Sequence, residues 1–167
     1  MIGQLHDAGN TTTLAHYLTL LDGAGLLAGI EKHSVEIVRR KASSPKFQVL
    51  NNALMSASLD LSFSGAVSDP RQWGRFVESA AGTHLLAGRH SDGYVVSYWR
   101  DRDDDVEFVL RKGERLVAIE LKSGSSDRIH HGLEVFRMRH ANCSCLLVGG
   151  QGMPLEEFLS IPPSELF

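Results

Sequence analysis

Apolar and polar positions alternate between two periods along this chain, and the switches mark its elements. Leu14, Tyr17, Leu18 and Leu21 recur at helical spacing behind Asn10, a residue suited to an N-cap, and Gly23 and Gly25 end that helix. Two short strands are predicted next, Leu26 to Lys32 and Val35 to Lys41, with His33-Ser34 between them. Ser43-Ser44-Pro45 reads as a junction. A strand at 46–50, a helix at 51–57 and a loop rich in Ser, Gly and Asp follow it. Pro70 opens a long helix to about Ala87, with Trp73, Phe76, Val77, Ala80 and Leu85 as its apolar stripe. Strands are predicted at 94–99, 106–110 and 116–121, a helix at 128–139, a strand buried on both faces at 143–148, and a short helix at 155–159. Short turns between the three strands imply an antiparallel meander. The crossover helix then sets the last strand parallel to one of them. No internal repeat is evident.

Composition adds limits. The chain has 167 residues, 43% hydrophobic and 22% charged, enough for one ordinary domain or a small domain with an appendage. There is no transmembrane run or secretory leader, so no membrane partner is expected. Cys143 and Cys145, the only two cysteines, read as small core residues of a reduced, cytoplasmic protein. Net charge is −3, which excludes nucleic-acid binding by the whole surface but not by a patch. A basic segment holds Lys32, Arg39, Arg40, Lys41 and Lys46. An acidic one holds Asp101, Asp103, Asp104, Asp105 and Glu107.

The chemistry centres on one strand. In Leu116–Lys122, side chains alternate, so Glu120 and Lys122 project together from its end. A carboxylate and an ammonium so placed either form a surface ion pair or bind a divalent metal and position a water beside it. If Lys112-Gly113 is a two-residue turn closed by Arg111 and Glu114, Glu107 falls opposite Ala118 and diagonal to Glu120, about 7 Å away. A bulge or a longer turn would put it on the other face. Glu78, at the flank of the long helix's stripe, either pairs with Arg71 or Arg75 or leans toward the sheet as a third acid. His130-His131 cannot both face one site, and Gly132 within a helix implies close packing against the sheet.

Helix acid, hairpin acid, Glu-x-Lys, helix and strand together resemble the restriction-endonuclease-like PD-(D/E)xK superfamily. More narrowly, Phe76-Val77-Glu78-Ser79-Ala80, Tyr98-Trp99-Arg100-Asp101, Val106-Glu107-Phe108-Val109-Leu110 and Ile119-Glu120-Leu121-Lys122-Ser123-Gly124 resemble one particular domain. It is the C-terminal domain of unknown function found behind many bacterial and archaeal AAA-type ATPases. Ser44-Pro45-Lys46 before a strand fits the same family. The resemblance implies an α/β fold: a restriction-endonuclease-like mixed sheet flanked by helices over 44–167, preceded by a partial winged helix-turn-helix over 1–43. It implies Glu78, Glu107, Glu120 and Lys122 as catalytic residues and Mg²⁺ as cofactor, with Glu107 and Glu120 its ligands. Lys122 would orient the attacking water and stabilise phosphate charge. Asp105 competes with Glu107 for the hairpin role, because the superfamily usually has Asp there. Lys32, Arg39, Arg40 and Lys41 would contact nucleic acid, DNA ahead of RNA. The implied partners are that nucleic acid, an ATPase part lying outside this chain, and further copies in an oligomer. No Walker A motif occurs here. The expected function is Mg²⁺-dependent phosphodiester hydrolysis or nucleic-acid binding; the alternative is a non-catalytic interaction or regulatory domain that keeps the nuclease fold.

Overall fold

A computed structural model describes residues 11–34, 43–123 and 131–167 of the chain. The expected strand at 35–41 and the residues Asn10, Arg39, Arg40, Lys41 and His130 lie outside the described residues. Six strands form one mixed sheet: β1 (Leu27–Lys32), β2 (Lys46–Val49), β3 (Val95–Asp101), β4 (Asp104–Lys112), β5 (Arg115–Lys122) and β6 (Cys143–Gly149). Their spatial order is β2-β1-β3-β4-β5-β6. The meander β3-β4-β5 is antiparallel, as expected, and β6 runs parallel to β5. β1 lies between β2, antiparallel, and β3, parallel. The first part of the chain therefore supplies an inner strand of the same sheet, and Ser43–Pro45 does not separate two sheets.

Among the described residues there are six α-helices: α1 (Thr11–Gly23), α2 (Asn52–Leu59), α3 (Phe63–Ser68), α4 (Pro70–Ala87), α5 (His131–Arg139) and α6 (Leu155–Ser160). A 3-10 turn, Pro163–Leu166, closes the chain. Side-chain caps fix several starts: Asn51 accepts from Ala53 N, Ser62 from Gly65 N, and Asp69 from Arg71 N and Gln72 N. The loop expected around residue 63 is thus a short capped helix that buries Ala66. No helix among the described residues is long and apolar enough to cross a membrane.

Two cores flank the sheet. On one face Ile30, Phe108, Leu110, Ile119 and Val148 pack with Ala81 and Leu85 of α4 and Phe158 of α6. On the other, Trp99, Val106, Val109 and Ala118 pack with Leu133 and Phe136 of α5. The buried line of α4 is Val77, Ala81, Leu85 and Leu86, whereas Trp73, Phe76 and Ala80 line an apolar groove of about 460 Å³ beside α2 and α3. Gly132 lets α5 lie on β4, since a Cβ there would sit 2.0 Å from the Asp105 carbonyl oxygen.

Two strand expectations change. β6 is an edge strand, so Ser144 and Cys145 are exposed and Cys143 is only half-buried rather than core. The β4–β5 turn is Gly113-Glu114, with Lys112 paired to Arg115. Gly113 has φ +59°, which a II′ turn requires at its first central position, and that requirement moves the turn one residue along. Ala118 consequently faces Val109, and the ladder runs on to Phe108 and Ile119.

Candidate active site

The sheet opens where the carboxylates meet. Between β3 and β4 the register steps from Ser97–Val109 to Trp99–Val106, which sets Glu107 and Phe108 against Tyr98 alone. Such a bulge breaks strict alternation and re-aims a side chain. On the β5 side the ladder ends at Phe108–Ile119, and the next free backbone donor, Leu121 N, gives its hydrogen bond to Glu107 Oε2 at 2.8 Å. Glu107 thereby stands in for a missing ladder carbonyl, with its carboxyl wedged between β4 and β5.

The other groups arrive from separate elements. Glu120 and Lys122 end β5 on the side of Ala118, and Lys122 Nζ donates to Glu120 Oε1 at 2.8 Å. Their side chains are 16% and 28% exposed, so this pair is set into the protein and is not a solvated surface contact. Glu78 leans toward the sheet from α4, paired with Lys46 at the start of β2 and with neither Arg71 nor Arg75. Lys46 Nζ also lies 4.8 Å from the centre of the Phe108 ring.

Electrostatics tie these groups into one cluster. Burial, then the Glu120 carboxylate and then that of Glu78, push Glu107 up from 4.5 to about 8, against the opposing pull of the Leu121 N–H and Lys46. Glu107 therefore feels both Glu78 and Glu120, which reach it from separate elements, in a turn and bulge that differ from the expected geometry. Beside them lies a cavity of about 490 Å³ walled by Lys46, Glu78, Tyr98, Trp99, Arg100 and Glu107 among others; neither Glu120 nor Lys122 borders it.

The acidic run at the β3–β4 tip is engaged elsewhere. Asp101 pairs with Arg139, Asp105 with Arg100 at 3.1 Å, and Asp104 lies 3.4 Å from His131. Asp105 borders the same cavity but is held by Arg100. Of the two described members of the basic segment, Lys46 pairs with Glu78, whereas Lys32 lies apart from the carboxylates in a cavity of about 330 Å³ with His33, Arg111 and His140.

Among the described residues no group of three or more His, Cys, Asp or Glu is arranged to hold a metal ion. A two-carboxylate set such as Glu107 and Glu120 is a different case, because Mg²⁺ commonly takes one or two carboxylates and fills its remaining positions with water. The mutual crowding that raises Glu107 is what a cation at this point relieves. Two carboxylates by themselves suit a water-rich site rather than an all-protein cage.

Sequence reasoning missed Lys46 as a member of this cluster. Its partner Glu78 is 32 residues away on another element, and no periodicity links them. The one local signal was a lysine opening a strand directly after Ser44-Pro45.

No curated protein and no solved structure matches the chain. A family model does match, over residues 73–163, a span that runs from α4 through α6 and includes Glu78, Glu107, Glu120 and Lys122. With more than half of its length in that match, the chain belongs to the family defined by the domain of unknown function DUF4143.

Proposed function

We propose that this chain is a nuclease-like module of an AAA-type ATPase, built on a restriction-endonuclease-like sheet and hydrolysing phosphodiesters with Mg²⁺ at Glu107 and Glu120. The observation that carries the reading is the half-buried Glu107, held by the Leu121 N–H and acted on by Glu78 and Glu120 from two other elements, each of which has an ammonium partner. A structural ion-pair network has no need to bury a third carboxyl between two others. A perturbed carboxyl beside a cavity, here Glu107, is a feature that functional sites often share. Bound Mg²⁺ would supply Lewis acidity and a water of lowered pKa. The chain's own groups would do the rest. Glu107 is anchored by the Leu121 N–H, Glu120 keeps the Lys122 ammonium beside the reacting centre, and Glu78 is the helical acid at the cavity wall. Lys32, with Arg39, Arg40 and Lys41, would contact the nucleic-acid backbone.

Two observations favour a second reading, an interaction or regulatory domain that has kept the fold. A Glu107 carboxyl held near 8 stays protonated at neutral pH without a metal, and Glu120 already has Lys122 as its partner. Millimolar Mn²⁺ or Mg²⁺ titration separates the two. The nuclease reading expects binding that is lost in Glu120→Gln, together with plasmid nicking that is lost in Lys122→Ala. Metal binding indifferent to Glu120→Gln, or nicking that persists in Lys122→Ala, would leave the interaction domain as the answer.

A further inference from the structure

The cavity beside the carboxylates has two ion pairs in its walls. Arg100–Asp105 is exposed, at 65% and 58%, where such a pair contributes little. Lys46–Glu78 lies deeper and is reinforced, because the Lys46 ammonium also sits over the negative face of the buried Phe108 ring. The same ammonium lowers the cost of ionising Glu107. Lys122 is differently placed: it is committed to Glu120 and does not border the cavity. A cation reaching Glu107 through the cavity therefore meets an ammonium, Lys46, already paired with the neighbouring Glu78.

We propose that Lys46 is the resident cation of this site, holding Glu78 in the metal-free chain and competing with a divalent cation for the carboxylate cluster. The inference rests on the Mg²⁺ reading above and adds to it a lysine outside the Glu-x-Lys pair, acting as a positioning residue through Glu78. A fixed ammonium a few ångströms from a divalent ion repels it, whereas a merely structural lysine would weaken metal binding when lost by loosening the site.

The test is Mn²⁺ binding to the full chain at low ionic strength, followed by the free-ion electron paramagnetic resonance signal and by calorimetry. Lys46→Met keeps the length of the side chain and a favourable contact with Phe108 while removing the charge. It is expected to bind Mn²⁺ about tenfold more tightly than wild type, with the gain shrinking as salt is added. Lys46→Arg keeps the charge and is expected to bind as wild type. Adding Glu107→Gln to Lys46→Met is expected to abolish the gain. Should Lys46→Met not fold, Lys46→Gln removes the charge and retains a donor for Glu78, with the same expectation. Wild-type binding together with equal or weaker binding by the folded neutral variant overturns the competition and leaves the metal site standing. Absence of binding in both wild type and the neutral variant overturns the metal site itself.

Discussion

Glu107 carries the largest consequence of any single residue in the cluster. Its carboxyl is raised from 4.5 to about 8 in the folded chain, so between those values the fold holds a proton that the unfolded chain releases. Stability from this group is full below pH 4.5 and is lost as pH rises through 8. Glu107→Gln should therefore raise Tm at pH 8.5 by the equivalent of a few kcal/mol and change it little near pH 4.5, read by thermal melts across pH (each tenfold change in a proton-binding constant is worth about 1.4 kcal/mol). His33 bends the profile the other way. Burial first, then His140 and Arg111, depress it from 6.5 to about 4, so its contribution is full above 6.5 and is lost as pH falls toward 4. Glu120 and Lys122 were legible as a pair because they share one strand and one face. Lys46 was not, because its position at a strand start does not reveal a partner 32 residues away on another element.

At the level of elements, local rules placed most helices and strands and failed where a neighbour decides. The meander, the crossover and the parallel last strand followed from turn length and periodicity. The bulge at Glu107–Phe108 did not, since two residues facing one is a property of pairing with β3. The exposure of β6 likewise depends on its edge position, which no run of apolar residues reveals. Gly132 was readable, because a glycine inside a helix needs a packing reason. Gly132→Ala would bring its Cβ to 2.0 Å from a backbone oxygen of β4, which cannot rotate away. The helix must lift, and we expect a loss of roughly 1–3 kcal/mol in urea unfolding, with weaker packing around Phe136. A change within a few tenths of a kcal/mol would show that α5 does not lie as closely on β4 as described.

Over the whole molecule, stability concentrates in the middle of the sheet. β4 and β5 are flanked on both sides and carry Phe108, Val109, Leu110, Ala118 and Ile119 at 0% exposure. Amide exchange should be slowest in those strands. It should be faster in β2, in β6 from Cys143 to Cys145, and in α1, whose Tyr17 and Leu20 are more than half exposed. Uniform protection across all six strands would contradict that gradient. The sequence by itself determined the class of fold, the order of the elements from Pro70 onward and the Glu120–Lys122 pair, because periodicity, turn chemistry and strand alternation act over a few residues. Tertiary structure alone decided that β1 enters the same sheet, that the hairpin turns at Gly113, and that Glu107 fills the gap where β4 and β5 part. It also placed Lys46 against Glu78. Each of those outcomes depends on which strands become neighbours and on which buried charges must then find a partner, and a linear pattern does not encode either.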